Sequence, residues 1–136
     1  RRTSAGWARL TSCSCSRASF LNQANKARQS EAQTYVGSMN RAQQAHYLEN
    51  RQFAEDLDDL GLGIRAATEY YTYSFEGDAD DPLMKHLAEP DGDDLYGYVG
   101  TVWLGTDGGG NATILAKICK GDNPGDEGNM PACEPD

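Results

Sequence analysis

The sequence predicts an α+β fold: one long N-terminal helix packed on a four-stranded antiparallel sheet, with a disulfide-closed C-terminal loop. Three observations carry this expectation. Residues 19–50 contain no proline and one glycine and are rich in Ala, Gln, Arg and Glu, the chemistry of an uninterrupted helix. Beyond residue 69 the chain falls into four short segments, three of them strongly β-branched or aromatic, separated by Gly-, Asp- and Pro-bearing turns. Cys119 and Cys133 bracket a Gly/Pro/Asp-rich tail with no periodicity of its own.

Taken in order, residues 1–17 (RRTSAGWARLTSCSCSR) are Ser/Arg-rich without a sustained period, and are expected to be irregular. They lack the apolar core of a secretory signal. Ser19 caps the helix predicted over residues 19–50. At 100° per residue, Phe20, Leu21, Ala24, Tyr35, Met39, Ala42 and Ala45 fall in one apolar stripe, which Val36 and Tyr47 broaden. Asn25, Gln29, Gln33, Asn40 and Gln44 face away from it, and Asn50 is a C-terminal stop. A helix of that length rises about 48 Å, more than a small globule needs, so its basic end, with Lys26 and Arg28, is expected to project.

In residues 51–69, Phe53, Leu57 and Leu60 read as a short helix or turn stopped by Gly61 and Gly63. Strands are predicted over Tyr70–Phe75, Tyr98–Leu104 and Ala112–Cys119. Leu83–Ala88 is open between strand and helical turn, and its position favours strand. Alternation puts Val99, Thr101 and Trp103 on one face of the third strand and Tyr98, Val102 and Leu104 on the other. Thr106–Asn111 (TDGGGN) is a hairpin loop.

The 136 residues set one domain as the default. The chain opens at Arg1 rather than Met, as a fragment or processed form does. No stretch approaches the ~18–20 apolar residues of a membrane span. The net charge of -9 hides an asymmetry: residues 1–51 hold eight Lys/Arg and two acids, the remainder four and nineteen. An acidic body argues against strong nucleic-acid binding, which needs clustered Lys/Arg. The basic segment is read as a solvated face, or as one meeting anionic lipid or another chain's acidic surface.

Cys119 and Cys133 lie in a tail that packing alone cannot hold, so a disulfide is expected there, worth about 3 kcal/mol, together with an oxidising compartment. The competing zinc reading lacks spacing: Cys13–Ser14–Cys15 has too short a spacer and no nearby His.

No catalytic constellation is legible. His46 reads as a packing residue on the helix and His86 as exposed or structural, and neither accompanies a nucleophile motif. TDGGGN lacks the lysine and the strand–turn–helix context of a phosphate cradle. Three acidic clusters (Asp78, Asp80, Asp81; Asp91, Asp93, Asp94; Asp122, Asp126, Glu127) offer hard oxygen ligands of the kind calcium takes, but none follows a calcium-loop pattern. They are read as solvated turns. Asn111–Ala112–Thr113 fits an N-glycosylation pattern common by chance. No cofactor or metal is expected.

The run SFLNQANKARQSEAQTYVGSMNRAQQAHYLEN, followed by FAEDLDDLGLGI, resembles the type IV pilin-like proteins of cyanobacteria labelled G/H, after the pseudopilins of type II secretion. The resemblance is close over residues 18–75 and looser through LYGYVGTVW and ATILAKIC to the last cysteine. It implies a non-enzymatic structural subunit, major pilin, minor pilin or pseudopilin, in an extracellular filament serving motility, adhesion, DNA uptake or secretion. The implied partners are other pilin subunits, and the inner membrane before assembly where an apolar N-terminal segment is present. Residues 18–136 would be the ectodomain: a long helix to residue 50, a head over 51–119 and a disulfide-closed tail over 119–136. Tyr35, Met39 and Ala42 would meet the sheet, and Phe20, Leu21, Ala24, Lys26 and Arg28 would face neighbouring subunits. Residues 1–17 depart from the family's peptidase site and apolar run, and are expected to be a non-native or truncated leader. The reading from another class is a soluble extracytoplasmic calcium- or ligand-binding module.

Overall fold

The computed structural model describes the backbone of residues 2–125 and 130–136, and side chains from Phe20 onward outside 126–129. Its elements are helix α1 (Arg2–Asn50), helix α2 (Leu57–Leu60) and strands β1 (Tyr71–Glu76), β2 (Leu83–Pro90), β3 (Tyr98–Thr106) and β4 (Ala112–Lys120). The strands form one antiparallel meander in the order β1-β2-β3-β4. Each lies within two residues of its expected segment, and the ambiguous stretch is β2.

α1 corrects the sequence reading at its start. Residues 1–17 were expected to be irregular, yet the helix runs without interruption from Arg2. Residues 2–50 contain no proline, and their only glycines are Gly6 and Gly37. Serine is only mildly unfavourable inside a helix, so nothing halts propagation once a nucleus exists. The 49 residues rise about 74 Å. At the other end the Asn50 side-chain amide donates to His46 O at 3.0 Å. Arg51 turns left-handed at φ 60° and returns its N–H to Tyr47 O at 2.7 Å, which satisfies carbonyls of the last turn. α2 is capped by Asp56, whose carboxylate accepts the Asp59 N–H at 2.8 Å, and it ends at left-handed Gly61.

The buried face of α1 differs from the predicted stripe by roughly the angle of one residue. Ala32, Val36, Met39, Asn40 and Gln43 are buried against the sheet. Tyr35 is half-buried beside the Tyr73 ring at 5.7 Å, Ala42 is half-buried, and Ala45 is exposed. Phe20 and Leu21 are 68% and 65% exposed. Gly100 gives the reason. A Cβ on Gly100 would stand well inside contact distance of Val36 and Asn40, so the helix crosses β3 there with nothing between them. One core cluster joins Ala32, Val36 and Met39 to Tyr71, Tyr73, Ala88 and Tyr98, and a second holds Phe53, Met84 and Val102.

The other side of the sheet is strapped by the tail. Lys85, Thr101 and Lys117 are register partners across β2, β3 and β4, a row perpendicular to the strands. The Lys85 ammonium donates to Ala132 O (2.7 Å) and Glu134 (3.2 Å), and the Thr101 hydroxyl to Cys133 O (2.6 Å). Lys117 pairs with Asp136 at 3.0 Å. The Cys119–Cys133 disulfide, Cα atoms 5.6 Å apart, fastens this strap to β4. β3 is therefore covered on both faces, with Val99, Thr101 and Trp103 buried opposite Tyr98 and Val102.

Candidate functional site

The two histidines are structural. His86, fully buried on β2, has its Nδ1 2.9 Å from Asn40 Oδ1 and its Nε2 3.2 Å from Gln43 Nε2. An amide oxygen can only accept and an amide NH2 only donate, so the ring is neutral with its proton on Nδ1. Burial lowers its pKa from 6.5 to about 3. Gln43 also clamps the backbone after α1, donating to Ala54 O (2.9 Å) and accepting from Ala54 N (2.6 Å). Asn40 donates onward to Lys117 O at 3.1 Å. Phe75 closes the pocket edge-on, 4.8 Å from the imidazole. The network joins α1 to three strands. His46 is half-buried, its Nδ1 3.0 Å from Gln52 O.

Sequence reasoning put Asn40 and Gln44 on the solvent side of the helix, and missed Gln43. Gln44 donates to Ile114 O at 3.0 Å, and Gln29 accepts the Tyr96 N–H at 3.2 Å. The signal was present: residues 32, 36, 39, 40, 43 and 47 follow helical spacing whatever their polarity.

Among the described residues no three His, Cys, Asp or Glu side chains converge as a metal-holding group. Asp80 accepts from Gln52 at 2.8 Å, Asp81 from the Asp78 N–H at 2.9 Å, and Asp91 from Thr72 at 3.1 Å, so these carboxylates brace turns. Asp126 and Glu127 of the third cluster lie outside the described residues, as do the side chains of Cys13 and Cys15. The Thr106–Asn111 loop is the expected hairpin. Asp107 accepts the N–H groups of Asn111 and Gly109, which hold its carboxyl below the usual range.

Two surfaces open to a partner lie at the ends of the head. At one end, among the described side chains, head contacts of α1 begin near Arg28, whose guanidinium lies 3.8 Å over the Tyr70 ring and donates to Asn25 at 3.0 Å. Arg28 is thus engaged with the head, whereas Lys26, Phe20 and Leu21 are exposed. At the other end, the last turns of α1 and the β3–β4 hairpin enclose an apolar groove of about 500 Å³ lined by Tyr47, Leu48, Leu104 and Ile114. Among the described residues no helix is long and apolar enough to cross a membrane.

A long helix laid across a four-stranded antiparallel meander, with a disulfide-closed tail on the sheet's far side, defines a pilin-like protein. The type IV pilin-like G and H family model matches residues 29–135, and the chain belongs to that family. Neither a curated protein nor a solved structure matches. The family is structural rather than enzymatic, and membership implies assembly with other pilin subunits at the cell surface or in an extracellular pilus. The match begins at Gln29, next to the first head contact of the helix, so the exposed residues 20–23 and half-buried Ala24 lie outside it.

Proposed function

We propose that the chain is a structural subunit of a type IV pilus or pilus-like filament. Residues 18–136 serve as the ectodomain, displayed on the fibre surface for motility, adhesion, DNA uptake or secretion. Where an apolar N-terminal segment is present, it holds the subunit at the inner membrane before assembly. The observation that carries the reading is the extension of α1 past the head with Phe20 and Leu21 exposed and without a partner among the described residues. Burying such apolar surface gains about 25 cal/mol per Å², and a contact repeated head-to-tail from copy to copy grows an open fibre.

Phe20, Leu21, Ala24 and Lys26 face neighbouring subunits in this reading, and Tyr35, Met39 and Ala42 hold the helix to its own sheet. Arg28 takes part chiefly through its own head, because its charge already lies on Tyr70. The test is immunogold labelling of surface filaments from the source cells with antibody raised against residues 51–136. Label along filaments, lost on gene disruption and restored by complementation, is the expected result. Antigen confined to the cell envelope, with filaments unlabelled, overturns the proposal.

A further inference from the structure

The apolar groove at the far end of the head has no occupant among the described residues. Leu48 is 68% exposed and Leu104 38%, and the Gln44–Ile114 hydrogen bond ties the helix to the hairpin beneath them. We infer that this groove receives the Phe20–Leu21–Ala24 face of a second copy's α1, lying parallel to the first; the inference rests on the filament reading and deepens it.

Geometry on one helix supports the pairing. Gln44, Tyr47, Leu48 and Arg51 line the groove at spacings of three, four and seven residues, so they share one side of α1. The centre of that group and the centre of Phe20, Leu21 and Ala24 are about 40 Å apart along the axis and about 180° apart around it. A copy translated by that length and set against the groove side turns its Phe20–Leu21–Ala24 side inward. The two surfaces are different and back to back, so the contact cannot close on itself. Every added copy leaves one groove and one helix tip free, which is the condition for an open chain.

Charge selects the same occupant. Residues 17–28 carry Arg17, Lys26 and Arg28 and no acid. The groove end of the head carries Glu49, Glu55, Asp78, Asp80, Asp81 and Asp107 against Arg51. The acidic β1–β2 turn is fixed to that end by Gln52–Asp80 (2.8 Å), Phe53 N–Ala79 O (3.0 Å) and Leu104 N–Pro82 O (2.9 Å). The other end of the head is acidic as well, with Glu69, Asp91, Asp93 and Asp94 around Asn25 and Arg28, so charge draws a basic tip to a head and away from another tip, and the apolar lining of the groove sets which end it meets.

The experiment uses the full chain with a benzophenone amino acid at Leu48. Isotopically light and heavy copies are mixed, irradiated and mapped by mass spectrometry. The expected adducts join light to heavy copies within residues 20–24, and fall at least about tenfold, equivalent to 1.4 kcal/mol, with Leu104→Glu or Leu21→Glu. Leu21 lies outside the head, so its variant reports on the contact even where the Leu104 variant unfolds. Adducts elsewhere, or only within one copy, while sedimentation shows association, overturn the groove assignment and leave the filament reading intact. A chain that stays monomeric at every concentration overturns both.

Discussion

The imidazole of His86 sits where a charge cannot be accommodated. Protonating Nε2 would set an N–H against the amide NH2 of Gln43, inside a pocket closed by Phe75. The native pKa of about 3 lies below the ordinary 6.5, so between those values the unfolded chain binds a proton that the native chain refuses. His86 therefore favours folding fully above pH 6.5 and loses that contribution as the pH falls toward 3, at roughly 1.4 kcal/mol per unit. Urea melts of wild type and His86→Gln across this window should diverge by that slope, and parallel curves would refute the assignment. The buried tyrosines supply a second residue-scale test. The Tyr71 hydroxyl donates to Tyr96 O at 2.6 Å, whereas the Tyr73 hydroxyl is buried without a partner among the described residues. Tyr71→Phe should cost about 1 kcal/mol, and Tyr73→Phe should be neutral or stabilising by up to about 1 kcal/mol. Thermal melts that reverse this order would contradict the hydrogen-bond assignment.

Between elements, the contact that decides the register of helix on sheet is α1 over β3 at Gly100. Gly100→Ala forces a methyl into Val36 and Asn40 and should cost about 1–3 kcal/mol by overpacking. Gly108→Ala, in the open hairpin loop, is the control and should change little. Equal denaturation midpoints for the two would mean that the helix is free to ride up from the sheet. The strap offers a different handle. Removing the Cys119–Cys133 bridge by Cys119→Ser with Cys133→Ser frees a loop of sequence separation 14 and should cost about 3 kcal/mol. Proteolysis after Lys85 and within residues 131–136 should accelerate in parallel, since the tail is then held only by the hydrogen bonds and ion pairs of Lys85, Thr101 and Lys117. Unchanged proteolysis would mean that the lysine–threonine row suffices.

Across the whole molecule, charge divides between a basic helical extension and an acidic head with nineteen acids beyond residue 51. Such charges attract between copies and are screened within about 8–10 Å at physiological salt. Self-association of the full chain, followed by light scattering, should therefore weaken as sodium chloride rises from about 0.05 to about 0.5 M. Association that strengthens steadily over that range would point to apolar contact alone.

Local chemistry was enough for much of this. The four strands follow from β-branched and aromatic runs cut by Gly, Asp and Pro, each a property of a few neighbouring residues. The hairpin at Thr106–Asn111 and the Cys119–Cys133 bridge are equally local, one set by turn residues and the other by two cysteines around a tail that cannot pack unaided. The side of α1 that meets the sheet was not local. Apolarity alone pointed to Phe20, Leu21 and Ala45, yet Asn40 and Gln43 are buried because His86, Ala54 and Lys117 meet their hydrogen-bonding groups from distant parts of the chain. A polar side chain is buried or exposed according to the partners it finds. Those partners exist only once the sheet has formed, so the sequence determined which elements this protein has, and only the tertiary structure decided which face of its helix remains for other subunits.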